Sequence, residues 1–263
     1  MILDRFKLTD RIAIVTGAGK GIGRGIALAF AEAGADVVCA ARTSDEIEAT
    51  ADAVRERGRR ALAVPTDVMK SEDLERLVDA TLEAFGSLDL LVNNVGGTGP
   101  RPALETSERY FESALRINVT QAFLLTRLAV PRMLESAGGG AIVNISSRSS
   151  DMVQTAFVAY GAGKAALNMM TRNLAPELAP KVRVNAISVG GVATESLEVV
   201  LTNEALREQF NANTPMGRPG TVEDIAACAV YLASPAAAWV TGKVFQIDGG
   251  ASAPAISVPV PKL

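Results

Sequence analysis

The sequence predicts an α/β protein built as a doubly wound parallel sheet with helices on both faces. Three observations predict it. Residues 11–30, RIAIVTGAGKGIGRGIALAF, read as a buried strand, a glycine-rich turn and a helix whose apolar residues Ile22, Ile26, Ala29 and Phe30 share one face. Beyond that unit, short apolar runs alternate with segments of helical period across short connections, the pattern of strand-helix-strand crossovers. The 263 residues hold no internal repeat and no Pro/Ser/Gly linker, so one domain spanning 1–263 is expected.

Each element follows from its local composition. Ile12, Ile14 and Val15 make a strand buried on both faces. Gly17, Gly19, Gly21 and Gly23 then let the chain turn sharply and offer the free amides of a helix N-terminus to an anion such as a pyrophosphate. Their spacing, from Thr16, is T-G-x-x-x-G-x-G rather than G-x-G-x-x-G. A second strand (35–41, ADVVCAA) precedes a helix that Thr43 caps, with Glu46 three residues on. A third (61–65) leads to Asp67 and a helix from about Ser71, and a fourth (88–92) ends in Asn93-Asn94-Val95-Gly96-Gly97. Residues 104–136 are mostly helical, with a bend at Pro131, which removes one amide. Asn118 lies within that stretch, where propensity disfavours it: it is either a buried Asn satisfied by backbone groups or part of a site. Further strands are expected at 141–145, 182–187 and 243–248, and helices at 158–178 and from a capping box at 221–224 to about 233. The strand ends then open on one sheet edge, where ligands of such folds lie, near the point at which strand order reverses.

Composition narrows the chemistry. Histidine is absent, which excludes Ser-His-Asp and Cys-His catalysis and any His-bearing zinc site, and no metal is expected. The acid or base must be Tyr, Lys, Asp, Glu or Cys. Cys39 and Cys228 sit in apolar surroundings and read as small core residues rather than a bridge, in keeping with a reducing compartment. A net charge of −3 without a basic cluster points to neither nucleic acid nor an anionic membrane as partner. No apolar run reaches the roughly 18 to 20 residues that span a bilayer, and residues 1–10 lack the apolar stretch of a signal peptide, so a cytoplasmic protein is expected.

Tyr160 and Lys164 stand four residues apart on an expected helix, so phenol and ammonium point the same way. A free tyrosine has a pKa of about 10, and a cation about 5 Å away at an effective dielectric near 20 contributes about 3 kcal/mol, or roughly two pKa units. On that arithmetic Tyr160 exchanges a proton near neutral pH.

The glycine turn, Asn93-Asn94-Val95-Gly96, Asn118, Ser147 and the Tyr160/Lys164 pair occur together in one order. With them the chain resembles the short-chain dehydrogenase/reductase family from about residue 8 to 250. The resemblance implies a Rossmann fold and an oxidoreductase that interconverts the carbonyl and alcohol forms of a small-molecule substrate. In the family the serine lies thirteen positions before the tyrosine, which selects Ser147 over Ser146. By the same resemblance, Tyr160 is the proton donor to the carbonyl oxygen, and Lys164 lowers its pKa and holds the nicotinamide ribose. Ser147 hydrogen-bonds the substrate oxygen, and Asn118 supports a water leading to Lys164. Gly17, Gly21 and Gly23 face the pyrophosphate, with Gly19, Lys20 and Ile22 in the same turn. Asp67, beside Val68, takes the adenine amino group, Asn94 and Gly96 the adenosine ribose side, and Thr194 the carboxamide. Two positions depart from the family: Val189-Gly190 stands for the usual Pro-Gly, and Val95 for the usual Ala.

The end of the second strand predicts the cofactor. An NAD-preferring fold places Asp or Glu roughly 20 residues past the glycines, on the ribose 2′-hydroxyl. Here that position is Ala41, followed by Arg42, whose planar fork suits a 2′-phosphate, and Lys20 reaches the same region. NADP(H) is therefore expected over NAD(H). Residues 195–214 read as one or two short amphipathic helices, the substrate flap of the family. Residues 251–263 form an extended, Pro-containing tail, either packed on a neighbouring subunit near the substrate opening, as its apolar set Ala255, Ile256, Val258, Val260 and Leu263 suggests, or a disordered end. Apolar and small residues on several faces of the helices at 104–136 and 158–178 point to two-fold packing, in a homotetramer as in the family. Residues 96–102, GGTGPRP, resemble the hydroxysteroid dehydrogenase branch. The alternatives are a 3-oxoacyl carrier-protein or CoA thioester reductase and, from another class, a non-catalytic dinucleotide-binding regulator.

Overall fold

The computed structural model describes residues 1–256 and 258–261, apart from the side chains of Ser196 and Val199. Among the described residues there are seven strands: β1 (Ile12–Thr16), β2 (Asp36–Ala41), β3 (Ala61–Pro65), β4 (Leu90–Asn93), β5 (Gly140–Ser147), β6 (Val182–Val189) and β7 (Val244–Ile247). They pair in parallel in one sheet of order β3-β2-β1-β4-β5-β6-β7. The doubly wound architecture is thus present, and strand order reverses between β1 and β4.

β1 shows why the sheet holds. All five of its residues are buried, and alternate side chains face opposite layers. Ala13 and Val15 pack with Ile26 and Phe30 of α1 (Gly21–Glu32) and with Ile47 and Val54 of α2 (Ser44–Arg55). Ile14 faces the other way, onto Leu74 and Leu77 of α3 (Ser71–Phe85) and Leu125 and Met133 of α5 (Gln121–Ala137). A strand covered on both faces favours apolar residues on both, which is why Ile12 to Val15 lack alternation, and the polar Thr16 at its end is satisfied through its hydroxyl.

The long helical stretch differs from expectation in an informative way. It is two helices, α4 (Glu108–Leu115) and α5, joined by a π-helical turn over Arg116–Thr120 that contains the fully buried Asn118. Pro131 lies inside α5, which continues to Ala137. Beyond β5 follows α6 (Val158–Leu178), and beyond β6 come α7 (Glu198–Thr202) and α8 (Glu204–Ala212). The last α-helix among the described residues is α9 (Val222–Ala233), where Thr221 and Asp224 form the expected capping box. Thr43 stands at the N-cap of α2 but its side chain makes no capping bond. Its intended partner Glu46 leans instead over the glycine turn, where a Cβ on Gly19 would lie 2.8 Å from Glu46 Oε2.

Candidate active site

A groove opens where the chain turns out of β1. Gly17 (φ +66°) and Gly21 (φ +54°) hold left-handed backbone, and a Cβ on Gly23 would run into the carbonyl oxygen of Gly17. These positions admit glycine alone without strain. No side chain caps the N-terminus of α1, so its amides are free to meet an anion. Thr16 Oγ1 donates to Val92 O at 3.1 Å and accepts from the Asn94 amide at 3.0 Å, while Asn94 Nδ2 donates to Thr16 O at 2.9 Å. The Asn94 side chain thus fastens the glycine turn to the end of β4.

Two cavities adjoin along this groove. One, of about 550 Å³, is lined by Gly17, Gly19, Arg42, Glu46, Asp67 and Val68. The other, of about 690 Å³, is lined by Gly21, Ile22, Ser147, Tyr160, Lys164 and Thr194. Lys20, Asn94 and Gly96 line both. The residues expected at the site therefore converge on one continuous trough, with Gly23 and Asn118 standing behind its wall. An elongated ligand with an anionic middle fits it.

Ser147 ends β5, and α6 brings Tyr160 and Lys164 up beside it. Lys164 Nζ donates to Ile145 O at 2.8 Å. Asn118 Nδ2 donates to Ala114 O at 2.9 Å, and its Oδ1 accepts from the Gly97 amide at 2.9 Å. Gly96 is wedged between these groups: a Cβ there would lie 2.6 Å from Lys164 Nζ and 2.8 Å from Asn118 Oδ1. Asn118 is satisfied by backbone groups, as the first sequence alternative has it, and stands against Gly96, which lines both cavities. The π-helical turn, a feature frequent at functional sites, sets its placement.

Electrostatics correct one expectation. Lys164 is 3% exposed, and burial pulls its pKa down to about 8. Burial pushes the Tyr160 phenol up from its ordinary value, and a hydrogen bond with Ser147 works in the other direction. Lys164 Nζ is 6.0 Å from the Tyr160 ring centroid, with Ile145 O as its hydrogen-bond acceptor. The lowered Tyr160 pKa computed from spacing alone omitted desolvation, which dominates here.

Several residues at the site escaped the sequence reading. Arg148, next to Ser147, holds Asp151 through Nη1 at 2.8 Å and meets Asp248 as an ion pair at 2.7 Å without an aligned N–H bond. The turn that carries Ser147 is thereby anchored to the end of β7. Lys20 pairs with Glu195 at the head of the flap, which raises the Lys20 pKa. Gln121 Nε2 donates to Val95 O at 3.0 Å. Arg148 and Asp151 are three residues apart, but the other partners lie 26 to 175 residues apart, so no local pattern marks them. The tail meets its own chain: Asn213 Nδ2 donates to Ala255 O at 2.9 Å and Thr155 Oγ1 to Val258 O at 2.6 Å. Leu263 lies outside the described residues. Among the described residues, no group of three or more His, Cys, Asp or Glu side chains forms a metal site, and no helix is long and apolar enough to cross a membrane.

The model of a family described as enoyl-(acyl carrier protein) reductase matches residues 17–252. An uncharacterized oxidoreductase of Mycobacterium tuberculosis (strain CDC 1551 / Oshkosh) is 49% identical over the whole of both chains. The 7α-hydroxysteroid dehydrogenase of Escherichia coli (strain K12) is 38% identical over 94% of this chain and 96% of its own. The chain belongs to the short-chain dehydrogenase/reductase family. Solved structures agree. A 7α-hydroxysteroid dehydrogenase complexed with NADH and 7-oxo glycochenodeoxycholic acid has a TM-score of 0.91 at 36% identity, covering 95% of this chain and 97% of its own. A gluconate 5-dehydrogenase of Burkholderia cenocepacia J2315, in complex with NADP and tartrate, has a TM-score of 0.89 at 30% identity, covering 95% and 98%. This short-chain dehydrogenase/reductase is therefore an oxidoreductase of CH–OH and C=O groups.

Proposed function

We propose that this short-chain dehydrogenase/reductase uses NADP(H) to interconvert a ketone and a secondary alcohol on a hydroxysteroid-like substrate. One observation carries the reading: Ser147, Tyr160 and Lys164 meet at a cavity continuous with the glycine turn. The positive-φ glycines and the uncapped helix suit a pyrophosphate, and Arg42 beside Ala41 suits a 2′-phosphate. NADPH supplies a hydride when bound there. Tyr160 gives its phenolic proton to the substrate oxygen in reduction and takes it back in oxidation. Ser147 Oγ accepts from the Ser149 amide at 3.2 Å, which orients the hydroxyl beside Tyr160 to serve the same oxygen. Lys164 holds positive charge beside the phenol as the proton leaves and faces the ribose, Thr194 takes the carboxamide, and Asn118 orients a water near Lys164. Asp67 and Val68 line the adenine end.

The substrate class is supported by the relationship to 7α-hydroxysteroid dehydrogenases at 36–38% identity. A thioester substrate is the second reading, favoured by the description of the matching family model. Exposed Phe123 and Leu134 on α5 and Val158 and Met169 on α6 support a homotetramer built on these helices. The free Cys39 and Cys228 suit a cytoplasmic setting. The test is a screen of ketosteroids, acetoacetyl thioesters and simple diketones with NADPH. Ketosteroids are expected to be reduced fastest, and Tyr160→Phe to lose roughly 10²-fold or more in rate with fold and cofactor binding retained. Faster turnover of thioesters selects the second reading, and retained turnover in Tyr160→Phe removes the phenol from the mechanism.

A further inference from the structure

The loop that follows β4 ends in an arginine, Arg101, whose backbone and side chain are both held in place. Thr98, Gly99 and Pro100 line the catalytic cavity, and the next amide, of Arg101, donates to Ala156 O at 2.7 Å. Ala156 is one of two non-glycine residues with positive φ (+66°) among the described residues, and it precedes Phe157, whose ring meets that of Tyr160 edge-on at 6.0 Å. The backbone of Arg101 is thus tied to the segment that walls the reacting end. Its guanidinium lies over the Tyr110 ring, 4.3 Å from the centroid, and Tyr110 OH donates to Gly99 O at 2.7 Å. Stacking fixes the plane of the fork and occupies one of its faces, leaving the in-plane N–H groups for an acceptor.

Charge and surface complete the picture. Lys20 is paired with Glu195 and Arg148 with Asp151 and Asp248, whereas among the described residues no carboxylate pairs with Arg101. Beside it the surface is apolar. Leu104 and Val153 are 84% and 90% exposed, and a cavity of about 300 Å³ lined by Ala103, Val153 and Val158 shares Phe157 with the catalytic cavity.

We propose that Arg101 binds a carboxylate carried by the substrate at the far end of an apolar body from the reacting carbonyl. The proposal rests on the ketone-reductase reading above and adds a charge requirement to it. A neutral ketone of the same shape fills the apolar surface but leaves the fork unmatched.

The test uses steroid ketones with the oxo group at C3, C7 or C12 and a side-chain carboxylate, each beside its methyl ester, reduced with NADPH by the full-length protein. The carboxylates are expected to have about tenfold higher kcat/KM than their esters, the scale of one charge-assisted hydrogen bond, with the difference in KM. Arg101→Gln is expected to bring the ratio to about one by raising KM for the acids, Arg101→Lys to keep part of it, and added salt to shrink it. A ratio of one in the wild type, or an unchanged ratio in Arg101→Gln, overturns the role of Arg101 and leaves the ketone reductase standing. Absence of turnover on every steroid ketone overturns the substrate reading itself, and the carboxylate proposal with it.

Discussion

Replacing Gly96 by alanine probes how tightly the reacting end is built. The added Cβ would lie 2.6 Å from Lys164 Nζ, 2.8 Å from Asn118 Oδ1 and 3.2 Å from Lys164 Cε. Carbon contacts settle at about 3.5–4.0 Å, so a neighbour must move by roughly 1 Å. Asn118 is the stiffer one, fully buried with both ends of its amide bonded at 2.9 Å. Lys164 has the flexible chain, and its ammonium is the group displaced. That movement breaks its 2.8 Å bond to Ile145 O at a site only 3% exposed. Losing a hydrogen bond to a buried charge costs about 1.5–3 kcal/mol in stability. A displacement of about 1 Å at the reacting centre costs roughly 10²-fold in rate, equivalent to about 2.7 kcal/mol. Gly96→Ala should therefore lower kcat/KM for ketone reduction about 100-fold and reduce unfolding free energy by about 1.5–3 kcal/mol, read by steady-state kinetics and urea denaturation. Wild-type kcat/KM in a variant with intact circular dichroism would show that the reaction does not depend on where Lys164 and Asn118 sit.

Three further outcomes are expected. The wild type should favour NADPH over NADH by about 30- to 1,000-fold in kcat/KM, about 2–4 kcal/mol, and Ala41→Asp with Arg42→Ala should reverse it; equal use of both by the wild type refutes the role of Arg42. Because burial lowers Lys164 from 10.5 to about 8, the unfolded chain binds more protons than the folded one between those values, and stability rises with pH across that window by at most about 3 kcal/mol. Denaturation of wild type and Lys164→Met at pH 7.5 and 10 checks this, and an equal pH response in the two proteins counts against it. Light scattering at micromolar concentration should give four times the 27.4 kDa of one chain, and a monomer refutes the packing of α5 and α6.

The fold was legible because its signals are local. β1 announces itself through four consecutive apolar residues, Ile12 to Val15, and the capping box at Thr221 and Asp224 starts α9. Ser147, Tyr160 and Lys164 were legible for a different reason: strand end and helix face fix their relation once the elements are placed. The π-helical turn was not legible, since Arg116–Thr120 has no distinctive composition and its wide winding follows from packing Asn118 against Gly163 and the 96–97 backbone. The Tyr160 pKa was misjudged because spacing reports the nearby charge while burial, the larger effect, is set by the whole fold.

The same distinction decides which cation near the glycine turn governs cofactor choice. From sequence, Arg42 suits a 2′-phosphate and Lys20 reaches the same region to add a second positive charge. In the folded chain Lys20 is held by Glu195 from the flap, and Glu46 approaches the turn from α2, so its positive charge is already offset. Arg42 lines the same cavity with no carboxylate paired to it among the described residues. A phosphate gains most from a cation that need not abandon another partner, because breaking the existing pair subtracts from the new one. Discrimination should therefore reside mainly in Arg42. Glu46, a carboxylate lining that end of the trough, pulls the preference toward the lower part of the range that Ala41 and Arg42 alone would set.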